Sequence, residues 1–503
     1  MAQCYRNSGS LKNGMAAQAH RTSGSFAPRL FTIDKSEKNV YSVWKGGHIM
    51  LIRFNVSNFL SFENRPEGGS EEFSMIAGKV RNKKEHIYED GKIKLLKFAA
   101  VYGANAAGKS NLVKAMDFMR RVILYGLPDG HTEKYCKTNP DNEKKPSYFE
   151  MEILLDGKYY AYGFEVILSQ SEFISEWLVE LHADNTEKIL FTRDIVNSSY
   201  ELGGELAEKG LKEKLDVYAG DVQNDGTALL LLIMNQNKKT LYENFKSAKI
   251  LKNVFGWIRD SLDINYPNQP ISDYSYLSHT DKLNEVYRII SAFGTGITGF
   301  EVREISFAEV FQGMSSDLKK KIMGRINKLI EVSHLKTTIM LLRTPSNLFI
   351  IEISEENGIE CKTVEFCHGK KSISFNLEEE SDGTVRMLDL IEILLSNEPK
   401  TYVIDELDRC LHPSLTYKFV KSFLQLAAKR NVQLIVTTHE SRLMDFDLLR
   451  RDEIWFVNKR ENGTSDIYSL EEYNTRFDQK VDKAYLDGRY GGVPIFNTVF
   501  PVC

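Results

Sequence analysis

A chain of 503 residues with 42% hydrophobic side chains can bury two or three domain cores, and its formal net charge of −4 gives no overall attraction to nucleic acid. Six cysteines, Cys4, Cys136, Cys361, Cys367, Cys410 and Cys503, are scattered without a C-x-x-C pair, so neither a zinc site nor a disulfide framework is expected and a reducing cytoplasm is the simplest setting. The longest apolar run, Ala228 to Met234, is far too short for the roughly 20 residues of a membrane span, so no membrane partner is expected.

In chain order, residues 1–49 are rich in Ser, Gly, Asn and Lys and show no apolar periodicity before Val40, which predicts a disordered N-terminal extension. They contain no apolar core of the kind a secretion signal needs. Met50 opens the strand-like alternation Leu51 to Phe62, and translation starting at Met50 is a reasonable expectation. The apolar run Leu95 to Tyr102 predicts a strand, and Asn111 to Ile123, with apolar residues at 112, 116, 119 and 123, predicts a helix. Short alternating runs at Tyr148–Leu155, Tyr159–Ile167 and Glu176–Leu181 predict an antiparallel β lobe, its first two strands joined by an Asp156-Gly157 hairpin. Helical patterns dominate from about Leu206 to Leu342, including an amphipathic stretch from Leu318 to Ile330 whose lysines read as a solvated face rather than a DNA contact. Strand patterns return at Leu348–Ile353, and an α/β core resumes near Ser381. The expected organisation is an extension (1–49), an N-terminal half with the β lobe (50–205), a mainly helical insertion (206–345) and a C-terminal half (346–503).

Between the strand ending at Tyr102 and the helix that follows lies Gly103-Ala104-Asn105-Ala106-Ala107-Gly108-Lys109-Ser110, a fit to the phosphate-binding pattern G-x-x-x-x-G-K-[ST]. Such a loop aims backbone N–H groups at the α- and β-phosphates, and needs glycine where the backbone must approach closely. Lys109 is expected to neutralise β/γ-phosphate charge and the Ser110 hydroxyl to ligate Mg²⁺, with residues Gly103 to Asn111 forming the nucleotide cradle. Far along the chain, Thr401-Tyr402-Val403-Ile404-Asp405-Glu406 is a short strand ending in two carboxylates. Asp405 is placed to hold Mg²⁺ and Glu406 to polarise an attacking water; an exposed acidic strand end is the bland alternative. Helix Leu415 to Arg430 and strand Val432 to Thr438 follow, and His439 at that strand's end is placed to sense a γ-phosphate. Ser381-Asp382-Gly383-Thr384, ahead of the helix from Val385 to Leu395, is either a helix cap or an anion site that grips the γ-phosphate bound to another subunit.

In this order the motifs resemble those of ABC-type ATPases: Gly103–Ser110 the Walker A loop, Ser381–Thr384 a divergent signature, Val403–Glu406 the Walker B strand, Leu407-Asp408 the D-loop and His439 the switch histidine. The signature lacks the second glycine of the common form, and no Q-loop glutamine is assigned. Asn55 to Phe62 resembles the opening strand of the SMC/RecF branch. Tyr102–Asn105, Asp405–Asp408 with His412-Pro413, and the terminal Tyr485-Leu486-Asp487-Gly488-Arg489-Tyr490-Gly491-Gly492-Val493-Pro494 resemble the AAA-type ATPases of prokaryotic phage-defence, abortive-infection and restriction-associated loci. The resemblance implies an α/β P-loop head with an inserted lobe, ATP and Mg²⁺ as cofactors, and an ATP-dependent homodimer. In it Lys109, Ser110, Asp405, Glu406 and His439 of one subunit meet Ser381 and Gly383 of the other. It further implies a switch acting on an effector in trans, a nuclease or toxin. A RecF-like role in DNA repair and a non-catalytic nucleotide-binding scaffold remain alternatives, and a local DNA contact stays open. The glycine-rich tail either packs on its own core or docks a partner.

Overall fold

The run Phe98-Ala-Ala-Val-Tyr102 is apolar at every position, which suits a strand covered on both faces. In the computed structural model it is such a strand. The structure describes residues 29–34 and 48–493, apart from 65–68, 183–185, 223–225, 237, 268–275, 277–282, 333–337, 345, 355–357, 370–372 and 474–479. We label the core strands in chain order: β1 (Phe98–Tyr102), β2 (Leu262–Asn265), β3 (Thr401–Ile404), β4 (Gln433–Thr437), β5 (Ile454–Lys459) and β6 (Ser465–Ser469). They form one sheet in the order β2-β3-β4-β1-β5-β6, parallel except for the last pair.

Alternation along β1 divides the core in two. Ala99 and Val101 face helix α1 (Lys109–Tyr125) and the β lobe, while Phe98, Ala100 and Tyr102 face α2 (Asp382–Leu395) and α3 (Pro413–Ala427). Lys97 is buried just before the strand, where its Nζ donates to the carbonyl of Ala427 at 2.6 Å and so caps the end of α3.

The β lobe is a seven-stranded antiparallel sheet in which Ile49–Ser57 pairs with both Ser147–Leu155 and Glu71–Ser74. Phe54, Val56, Phe149, Met151 and Phe164 bury its inner face against α1. The Asp156-Gly157 hairpin turn has positive φ at both residues (51° and 78°), matching the twist of the strands it joins.

The described part of 206–345 is mainly helical, and it also supplies β2 to the core sheet. Two more of its strands, Ile297–Ile305 and Thr338–Arg343, enter a third, antiparallel sheet with Leu348–Ser354, Gly358–His368 and Ile373–Phe375. The expected boundary at 345/346 thus falls inside a sheet, because Thr338–Arg343 pairs across it with Leu348–Ser354. The N-terminal stretch contributes one strand, Arg29–Asp34, antiparallel to Thr338–Arg343; the rest of the expected extension up to residue 47 lies outside the described residues. Its partner is some 300 residues away, so nothing near it in sequence signals the pairing.

One face of the third sheet, through Ile339, Leu341, Ile350, Val364 and Phe366, packs on Leu388 and Ile391 of α2. The opposite side of α2, through Met387, Leu390, Ile393 and Leu394, packs on the core. Helix α2 is therefore a wall shared by the third sheet and the core sheet.

Candidate nucleotide site

Parallel pairing brings the carboxyl ends of four strands to one level: Ile404 lies opposite Val436 and Asn265, and Thr437 opposite Val101. The residues next in sequence therefore converge at that edge, where open α/β sheets place their ligand sites. They are Gly103 after β1, Asp405 after β3 and Thr438 after β4.

The glycine loop turns back on itself through left-handed backbone at Ala106 (φ 62°) and Gly108 (φ 119°). At Gly108 a Cβ would stand 2.5 Å from Ser465 Oγ, and at Gly103 one would stand 2.4 Å from the carbonyl oxygen of Val457, so both glycines are required by space. Ser465 of β6 locks the loop from outside: its hydroxyl bonds the Ala107 carbonyl (Ser465 Oγ donating) and lies 2.8 Å from Ser61 Oγ. Helix α1 begins at Lys109, and its first N–H groups, those of Lys109 and Ser110, have no acceptor within the helix. An anion at this end meets unpaired donors and the positive end of the helix dipole.

Lys109 is buried and folds back to donate to the carbonyls of Gly103 (2.7 Å) and Ala104 (3.1 Å). Burial holds its pKa below the ordinary lysine value, partly opposed by Asp405, Asp408 and Glu406. Ser110 Oγ lies 3.1 Å from Asp405 Oδ1. A hydroxyl and a carboxylate oxygen brought together beside a phosphate cradle form a donor set that fits Mg²⁺. Asp405 is itself buried; its Oδ1 accepts from Thr437 Oγ1 at 2.6 Å, and its backbone N–H donates to Asn265 of β2 at 2.9 Å.

Glu406 follows with φ of 51°, a left-handed conformation costly for a non-glycine residue. Two groups fix it there. Its N–H donates to Thr437 Oγ1 (2.8 Å), and its carbonyl accepts from Arg386 Nη2 of α2 (3.1 Å). Asp408 accepts from Thr438 Oγ1 (2.6 Å) and from the backbone N–H of His439 (3.2 Å), tying the loop after β3 to the one after β4. Burial and the nearby Lys109 ammonium hold the pKa of His439 below its ordinary value, with the three carboxylates opposing, so its imidazole is neutral at pH 7.

The structure thus joins Gly103, Lys109, Ser110, Asp405, Glu406 and His439 at one edge. Asn111 turns its amide to Ser61 Oγ (2.8 Å) instead. Ser381 is exposed and Gly383 half-buried at the start of α2. Ser381 Oγ accepts from the N–H of Thr384 at 3.1 Å, a helix cap, and a Cβ on Gly383 would stand 2.9 Å from the carbonyl of Cys410 in the loop after Walker B. Their link to the site within this chain runs through Arg386, which the sequence reading did not single out. Thr437, Ser465 and Ser61 were also missed. Thr437 had a signal in the polar cluster Thr437-Thr438-His439 at a strand end, whereas Ser465 had none.

A family model described as "AAA domain, putative AbiEii toxin, Type IV TA system" matches residues 98–216 and 234–445. No curated protein gives a significant match. Among solved structures the chain is similar to the SMC head domain from Thermotoga maritima, at 14% identity over 83% of this chain and 98% of that one with a TM-score of 0.32. It is also similar to the Smc head domain with an extended coiled coil bound to the C-terminal domain of ScpA derived from Pyrococcus furiosus, at 16% identity over 84% and 97% with a TM-score of 0.37. The family match spans more than half of the chain and takes in residues 103–110, Asp405, Glu406 and His439. The chain belongs to this AAA-domain family.

Proposed function

We propose that the protein binds ATP with Mg²⁺ and hydrolyses the nucleotide at a site completed by a second copy of itself. The resulting switch controls a separate effector, a nuclease or toxin, in antiphage defence. The observation that carries the catalytic part is the 3.1 Å approach of Ser110 to Asp405, with Glu406 next in sequence and held by Thr437 and Arg386. The toxin–antitoxin term in the family description supports the defence part.

The glycine loop and the start of α1 bind the phosphates, and Lys109 exchanges its two carbonyl partners for phosphate oxygens. Ser110 and Asp405 would hold Mg²⁺, which supplies charge neutralisation at the β- and γ-phosphates when bound. Glu406 orients water and draws its proton, and neutral His439 donates a hydrogen bond at the γ-phosphate. Ser381 and Gly383 would meet a partner's nucleotide at the start of α2, where Ser381 is exposed. Closing two copies on two nucleotides shifts the population toward the dimer, and hydrolysis resets it.

Glu406→Gln is expected to lower phosphate release at least about a hundredfold while ATP still binds, and to trap a dimer seen by light scattering in ATP but not in ADP. Hydrolysis by this variant at the wild-type rate would remove Glu406 as the base. A monomer in saturating ATP would remove the composite site.

A further inference from the structure

The C-terminal segment has no part in the chemistry above, yet it reaches the phosphate loop. Helix α4 (Val481–Leu486) carries Tyr485, whose ring is buried among Phe456 (stacked, centroids 5.5 Å apart) and Tyr102 (edge-on, 5.9 Å). Its hydroxyl donates to the carbonyl of Gly492 at 3.0 Å, and Gly492 lies against Gly103, the first glycine of the loop.

The chain after α4 is shaped to allow this. Gly491 and Gly492 both have left-handed backbone, at φ 69° and 67°. A Cβ on Gly492 would stand 3.5 Å from Gly103 Cα, and one on Gly491 would stand 2.6 Å from the Tyr468 hydroxyl. Asn458 Oδ1 accepts from the Gly492 N–H (3.2 Å), Tyr468 donates to the Tyr490 carbonyl (2.6 Å), and the Tyr490 ring stacks on Phe456. Burial pushes the Tyr485 hydroxyl up to about 12, so it stays protonated and able to donate at neutral pH.

We infer that Tyr485 is a positioning residue of the nucleotide site, and that residues 481–493 form a brace which fixes the first peptide of the phosphate loop. The inference rests on the ATP-binding reading above. Gly103 is held from two sides: Gly492, anchored by the Tyr485 hydroxyl, packs against its Cα, while the Lys109 ammonium holds its carbonyl at 2.7 Å. When Lys109 leaves for phosphate, one of the two grips is lost and Tyr485 keeps the loop in its binding shape. By linkage, bound ATP must also steady residues 481–493.

The test uses the full-length chain and Tyr485→Phe, which keeps the ring and its stacking, with Gly492→Ala as an independent variant that strains the same contact. Hydrogen exchange without nucleotide should quicken about three- to tenfold in the peptide spanning Tyr102 to Lys109 for Y485F, while the thermal midpoint stays close to wild type. Affinity for a fluorescent ATP analogue should weaken about three- to tenfold, with KM for ATP rising more than kcat falls. G492A should shift both in the same direction. If exchange in that peptide is unchanged in Y485F, the brace is overturned. If wild type binds the analogue and Y485F binds it equally well, the role of Tyr485 falls while the ATP-binding reading stands. If wild type binds no analogue and neither does it after Mg²⁺ is added, the nucleotide reading falls and this role with it.

Discussion

Thr437 is the residue on which the two carboxylates depend. Its hydroxyl donates to Asp405 and accepts from the N–H of Glu406, so one oxygen holds the acid proposed to bind Mg²⁺ and offsets the strain of the left-handed glutamate. Thr437→Val keeps the shape and loses both bonds. It is expected to lower kcat about ten- to hundredfold with little change in ATP affinity, and Thr437→Ser should restore most of the loss. Steady-state kinetics check this, and equal rates in all three proteins would deny Thr437 the role. The sequence could not assign that role, because it needs β3 and β4 side by side and in register. Gly103–Ser110 was legible because its function is made by contiguous backbone, and Asp405-Glu406 because two acids at the end of an apolar strand are unusual. Arg386 was hidden: within a helix arginine is an ordinary helix former, and only its burial shows that it bonds the Glu406 carbonyl.

The same difference holds for whole elements. Strands β1, β3 and β4 are continuous apolar runs and declare themselves, whereas β2 is only Leu-Asp-Ile-Asn and is recognisable as core through its parallel partner β3. Arg29–Asp34 is short and pairs with a distant strand. Helix α2 was legible as an amphipathic helix with a capping serine, but its two readings could not be separated, since Ser381 serves as a cap in this chain whatever it does for another. Substitution separates them. Ser381→Asp retains a capping oxygen and adds negative charge where a partner's γ-phosphate is proposed to sit. Its thermal midpoint should match wild type, while the ATP-trapped dimer of the Glu406→Gln background should be lost. Ser381→Ala should instead cost about 1 kcal/mol of stability. A dimer that survives Ser381→Asp would leave the serine with the cap alone.

At the scale of the whole molecule, α2 is where the third sheet meets the edge that carries the carboxylates. Leu388 and Ile391 pack on the third sheet, and Met387 and Leu390 on the core. Arg343, at the end of Thr338–Arg343, reaches Asp389 of the same helix at 2.5 Å with both side chains nearly buried. Asp389 also attracts Arg386, the residue that bonds the Glu406 carbonyl. Movement of the third sheet therefore cannot leave α2 unaffected, because packed interfaces shift between discrete arrangements rather than stretching. Asp389→Ala leaves Arg343 without this buried carboxylate and withdraws the charge beside Arg386. The variant should lose about 3 kcal/mol of stability, read as a lower thermal midpoint. It should also lower kcat severalfold at unchanged ATP affinity, because Arg386 holds the glutamate and not the phosphate cradle. A destabilised variant whose kcat and KM both match wild type, measured well below its midpoint, would show that the pair secures the fold alone and that signals from the third sheet reach the site by another route.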